Sequence, residues 1–223
     1  MEVKSFEIQK TKPWPYVMGI DISRKSLKYV LLRRSANSLT IEGFGKSQLS
    51  STDIERNSQI KKIIGNLFDK QRKSAKAKPV IGVEGNQTTV KIDSFPRLAK
   101  DELAQTVEFT LQQDIKGGEE TGGVNTDYIQ LRPDPDQPGN TIYLCVGAAE
   151  ELVSTSIDYF GEISAEPAKI VPVVKSLSNL TRFFSVPHTD EPIAILDIGA
   201  SRTMFVFIEN NEGELNIDHC ENV

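Results

Sequence analysis

The chain has 223 residues, 38% hydrophobic and 26% charged, with 26 Lys plus Arg against 31 Asp plus Glu and a net charge of −5. That length supports one large or two small domains with a real core, and the acidic balance argues against a dedicated nucleic-acid binder, which needs a basic face. With only Cys145 and Cys220 and no Cys-x-x-Cys pair, neither a zinc module nor a disulfide framework is expected, and the thiols read as reduced and cytoplasmic.

No run approaches the roughly 18–20 apolar residues of a membrane span. Residues 1–15 lack the apolar centre of a signal peptide and read as a tail, with Trp14 between Pro13 and Pro15 as an anchor. Tyr16–Ile22 (YVMGIDI) and Leu27–Arg33 predict buried strands, and alternating Leu39–Lys46 predicts a third; short connections make them an antiparallel meander. Thr52 or Asp53 can cap a helix whose apolar stripe is Ile60, Ile63, Ile64, Leu67 and Phe68. Its end carries Lys70, Arg72, Lys73, Lys76 and Lys78, which read as a solvated basic surface. Pro79–Glu84 follows as a strand. Strand, strand, strand, helix, strand is the order of a ribonuclease-H-like lobe, the kind used by actin-like ATPases.

Residues 85–166 then read as a small inserted α+β unit. Thr88–Phe95 alternates as a half-exposed strand. Leu103, Val107, Leu111 and Ile115 recur every four residues on a helix, and KGGEETGG is a loop by composition. Two strands, 125–132 and Thr141–Gly147, precede a helix whose inward face is Leu152, Val153, Ser156, Ile157 and Phe160. A return helix is expected from about Ala168 to Phe184, with Pro172 in its first turn and Ile170, Val174, Leu177 and Phe184 facing inward. Ile193–Ile198, Thr203–Glu209 and Leu215–His219 repeat the opening strand, turn, strand pattern, so 16–33 and 193–209 look like an internal duplication. His188 and His219 read as loop and strand-surface residues, and Cys145 as a core thiol.

Two turns carry the chemistry. GIDISRKSLK and LDIGASRTMFVF each place an aspartate, Asp21 or Asp197, at the end of an apolar strand before a tight hairpin of small or hydroxylated residues. Backbone N–H groups at such a tip suit phosphate oxygens. The hydroxyls of Ser23, Ser201 and Thr203 can add hydrogen bonds, and Lys28 can reach a terminal phosphate as a point charge. Carboxylates cannot favourably touch phosphate, so Asp21 and Asp197 would act on a metal through its waters, as Mg2+ permits. No Walker G-x-x-x-x-G-K-[ST] motif is present.

On these residues the chain resembles the PilM family of type IV pilus assembly proteins, actin-like relatives of the cell-division protein FtsA. GIDISRKSLKYVLL resembles the family's first phosphate hairpin, with Ser23 where the family usually has Gly and with Arg24 and Lys25 where it is usually small. VKIDSFPRLAKDELAQTVEFTLQQDI resembles the opening of its inserted subdomain, NTDYIQL its Asp-Tyr strand (Asp127-Tyr128), and AILDIGASRTMFVFIENNEGEL its second phosphate hairpin. The resemblance implies an α/β actin-like ATPase (ribonuclease-H-like) lobe. Its first part is 16–84, its inserted subdomain 85–166 and its return helix 167–190. The start of a second lobe, 191–223, is incomplete and lacks the adenosine-binding region. It implies nucleotide contacts from Asp21, Ser23, Arg24, Lys28, Asp197, Gly199, Ala200, Ser201 and Thr203.

The implied cofactor is ATP with Mg2+ in the intact protein, weak or absent in this chain, with at most slow ATPase activity and no catalytic residue nominated. The implied function is a cytoplasmic scaffold, peripheral on the inner membrane. It would bind the N-terminal cytoplasmic peptide of a PilN-like inner-membrane protein in a groove between lobe and insertion, along with other pilus machine components. Alternatives are a sugar-kinase-like phosphotransferase, which needs a general base near the acceptor hydroxyl, and a scaffold of type II secretion. A metal-dependent nuclease needs carboxylates clustered around metals, and Asp21 has no evident strand partner for that.

Overall fold

In the first strand, β1 (Tyr16–Ile22), Met18 and Ile20 are buried and the residues between them face the other way, as pleating requires. The computed structural model describes residues 14–35, 38–69, 73–85, 87–115, 123–161, 163, 165–180, 192–199, 203–211 and 214–222. β1 runs through β2 (Ser26–Arg34) into β3 (Leu39–Gln48), an antiparallel meander. Next come α1 (Asp53–Leu67), a 3-10 turn at Lys73–Lys76 and β4 (Lys78–Val83), which lies parallel to β1. The predicted stripe of α1 is its core face: Ile60, Ile64, Leu67 and Phe68 are buried against Met18, Ile20, Leu27 and Leu31. Each fully buried side chain of this kind stabilises by about 1.5–3 kcal/mol. Thr52 is the N-cap residue, yet its hydroxyl donates to the Glu55 carboxylate (2.9 Å) rather than accepting a backbone N–H. The Ser50 hydroxyl donates to the same carboxylate, and together these bonds hold Glu55 below the ordinary carboxylate range.

A second, separate sheet follows. β5 (Thr88–Pro96), β6 (Val124–Pro133) and β7 (Asn140–Ala149) pair antiparallel in the order β5-β7-β6. α2 (Lys100–Gln112) covers one face, burying Leu103, Val107 and Leu111 on Phe95, Tyr143 and Cys145. Leu144 on the opposite face packs with the strands that end the chain. α3 (Glu150–Asp158) turns Ser156 and Phe160 inward but leaves Ile157 47% exposed, against expectation. The inward row is Leu152, Ser156 and Phe160, spaced by four; Ile157 lies about 100° farther round the helix.

The expected return helix from Ala168 begins instead as a strand. β8 (Lys169–Pro172) pairs parallel with β4 and completes a sheet of order β3-β2-β1-β4-β8; only then does α4 (Val173–Leu180) start. Pro172 disfavours helical geometry at Val171, so the β-branched Ile-Val pair stays extended. Val174 is fully buried, Ile170 belongs to the strand, and Phe184 lies outside the described residues, as do residues 116–122 of the predicted loop and His188. Finally β9 (Ile193–Ile198), β10 (Thr203–Asn211) and β11 (Glu214–Asn222) form a sheet of order β11-β10-β9, the same meander as β3-β2-β1. Val206 and Ile208 of β10 pack with Val174 and Leu144, joining α4 and the two three-stranded sheets in one core.

Candidate phosphate-binding site

The two meanders have connections of equal length between their first two strands. Residues 23–26 lie between the register partners Ile22 and Leu27, and residues 199–202 between Ile198 and Thr203. Register then places Asp21 opposite Lys28 and Asp197 opposite Met204. Both aspartates end an apolar strand one residue before the turn's first partner, and both face one cavity of about 230 Å3. Of the residues expected at the site, Asp21, Ser23, Arg24, Lys28, Asp197 and Gly199 line it. β1 and β4 are parallel, so the cavity sits at their carboxyl ends, where ligands of open α/β sheets bind.

The electrostatics join the two hairpins. The Lys28 ammonium donates to Asp21 Oδ2 at 2.9 Å. That hydrogen bond raises the Lys28 pKa above its ordinary value against the opposing effect of partial burial, and the charges of Asp21, Asp197 and Glu84 push the same way. One ammonium is thus paired with the first hairpin's carboxylate and feels the charge of the second hairpin's Asp197 and of Glu84 just after β4.

Two expectations change here. Ser23 lines the cavity, but its hydroxyl closes its own turn. It donates to the Ser26 carbonyl at 3.0 Å and accepts the Ser26 N–H at 3.2 Å, while the Ser23 N–H donates to the same carbonyl at 2.9 Å. The hydroxyl is thus engaged in its own turn while the residue still lines the cavity. Thr203 is not among the lining residues; its neighbour Met204 is. Strand side chains alternate faces, so Thr203, the register equivalent of core-facing Leu27, points away from the face that Met204 presents. Ala200 and Ser201 lie outside the described residues.

Lys46 and Glu84 also line the cavity, and neither was expected. Glu84 could be found from the parallel pairing of β1 with β4, since Gly82 lies opposite Asp21. Lys46 depends on a bulge: Leu31 pairs with Gly43 but Leu32 with Ile41, which leaves Glu42 unmatched. That extra residue reverses the faces of the rest of β3 and brings Lys46 opposite Lys28.

A second groove, of about 420 Å3, runs between the five-stranded sheet and α3. Ile22, Ile81 and Val83 form its floor, Arg56 of α1 one wall, and Leu152, Thr155 and Tyr159 the other. The Tyr159 hydroxyl donates to Asn57 Oδ1 at 3.0 Å and ties the two walls together. Ser23, Arg24 and Glu84 line both this groove and the cavity.

The chain spans 62% of the length of a chain in the solved PilM-PilN type IV pilus biogenesis complex, which it matches over 95% of its own length with a TM-score of 0.71 at 16% identity. The cytoplasmic domain of EpsL, an inner membrane component of the type II secretion system of Vibrio cholerae, is similar with a TM-score of 0.54 at 11% identity, over 93% of this chain and 71% of that one. No curated protein matches in sequence. These likenesses establish the fold, an α/β fold of the actin-like ATPase class. The family model described as type IV pilus assembly protein PilM matches residues 19–215, from within β1 into β11. With that span matched, the chain belongs to the PilM family of type IV pilus assembly proteins.

Proposed function

We propose that the chain belongs to a cytoplasmic scaffold of type IV pilus assembly, peripheral on the inner membrane, whose intact form holds ATP by its phosphates in this cavity and carries a partner peptide beside them. The observation that carries the nucleotide half is the convergence of Asp21 and Asp197, from two meanders of the same topology, on one cavity that Lys28 also lines. The residues fit the ligand. Lys28, Arg24 and Lys46 offer positive charge to the phosphates. Asp21 and Asp197 suit a hydrated Mg2+ held through its waters, since Mg2+ keeps several waters and takes one or two carboxylates. Bound there, Mg2+ would offset phosphate charge that the carboxylates otherwise repel. At about 230 Å3 the cavity is smaller than the roughly 300–1,000 Å3 typical of a small-molecule pocket, a size for phosphates rather than a whole nucleoside.

The partner half places the short N-terminal peptide of a PilN-like inner-membrane protein, in extended form, in the groove between the five-stranded sheet and α3. Residues 85–166 are then an inserted subdomain that supplies one wall. The groove has an apolar floor for side chains and a polar rim in Arg56, Glu84 and Gln87. The test uses a fluorescent synthetic peptide with the N-terminal sequence of the PilN-like protein of the same pilus machine. Thr155→Lys, on the groove wall, should weaken its binding about tenfold, the effect of losing roughly 1.4 kcal/mol. It should shift the unfolding midpoint little. Lys76→Glu with Lys78→Glu, on the exposed basic surface, should leave binding intact. Binding lost in the basic-surface variant and kept in Thr155→Lys would overturn the assignment.

A further inference from the structure

We propose that Lys46 is a second phosphate-binding cation, contacting the outermost phosphate of a nucleoside triphosphate beside Lys28 and biasing the cavity toward triphosphate over diphosphate. This rests on the nucleotide reading above. Lys46, Lys28, Asp21 and Gly82 form one cross-strand row over β3, β2, β1 and β4. Register partners share a face, and both lysines line the cavity. The end of β3 is fixed there, because the Leu49 N–H donates to the Lys25 carbonyl at the tip of the first turn (2.9 Å).

The row sets the Lys46 and Lys28 ammonium-bearing side chains at directly opposite register positions. Like charges directly opposite across a strand pair destabilise it. Asp21 is engaged by Lys28, and among the described residues Lys46 has no ion-pair partner. An anion between the two ammonium groups converts the repulsion into two charge-assisted hydrogen bonds. The fold does not require the pair: the equivalent row of the second meander runs Asn222, Met204, Asp197, with neutral residues at both lysine positions. Among the described residues, the cations that line the cavity, Arg24, Lys28 and Lys46, all come from the first meander.

Calorimetry and thermal unfolding of the intact protein with Mg·ATP, Mg·ADP and inorganic tripolyphosphate test the proposal, in wild type, Lys46→Ala and Lys46→Arg. Lys46→Ala should keep or raise the unfolding midpoint without ligand. It should lose about tenfold in affinity for Mg·ATP and tripolyphosphate, the loss of one charge-assisted bond, and less than about threefold for Mg·ADP. Lys46→Arg should recover most of the loss. Equal losses for ATP and ADP, or none, would overturn the proposal while leaving the nucleotide site standing. A lower midpoint for unliganded Lys46→Ala would overturn it too, by showing that the lysine serves the neighbouring carboxylates. Absence of both ATP and tripolyphosphate binding in wild type would remove the nucleotide reading and this proposal together.

Discussion

Asp21 and Lys28 meet across the β1–β2 pair and remain partly exposed, with side-chain exposures of 37% and 52%. An exposed pair of this kind contributes about 0–1 kcal/mol, so its consequence is placement of the ammonium in the cavity rather than stability. Cys145 shows the opposite regime. It is 1% exposed beneath α2, and burial pushes its thiol up to about 12 from the ordinary 9.0. A folded-state pKa above the unfolded one contributes stability that is complete below the unfolded value and is lost as pH rises toward the folded value. The unfolding midpoint should therefore fall as pH rises from about 9 toward 12. Burial raises Tyr159 as well, which adds to the same slope, so Cys145→Ala should reduce the alkaline loss without abolishing it. An identical pH profile in that variant would contradict the buried thiol. The sequence identified Cys145 as a core thiol because it sits in an apolar run; the size of the shift needed the helix above it.

At the scale of elements, α2 lies close on β7 where Gly147 leaves room. A Cβ at Gly147 would come within 2.9 Å of Ile115 Cδ1 and 3.4 Å of Leu111 Cβ. Gly147→Val overpacks that contact and should destabilise by about 1–3 kcal/mol, read as a lower urea midpoint; an unchanged midpoint would mean that α2 is not seated there. The four-residue recurrence of Leu103, Val107, Leu111 and Ile115 made α2 legible, since one buried stripe fixes both helix and face. β8 was not legible, because Ile170, Val174 and Leu177 satisfy a helical spacing although Ile170 lies in a strand parallel to β4. Parallel pairing between residues so far apart in sequence leaves no local signature. The bulge in β3 was equally silent, and with it the face that Lys46 presents: one unmatched residue decides whether a lysine points at the cavity or at the core.

In the whole molecule, two copies of one meander bring Asp21 and Asp197 to one cavity, and the duplicated Asp-ended strands were readable because GIDISRKS and LDIGASRT repeat the same order of apolar run, aspartate and small-residue tip. Lys46, from β3, and Glu84, just after β4, join the cavity from segments whose positions only the sheet topology sets. In the proposed function, Asp21 and Asp197 act on one Mg·ATP. A calorimetric double-mutant cycle tests it most directly, using wild type, Asp21→Asn, Asp197→Asn and the double variant, each titrated with ATP with and without Mg2+. The measured quantity is the gain in ATP affinity that Mg2+ confers. Each single substitution should reduce that gain, and the pair should be coupled by more than about 0.5 kcal/mol, as groups sharing a partner are, with unfolding midpoints nearly unchanged. A gain unaffected by either substitution, or two effects that simply add, would contradict a single shared site.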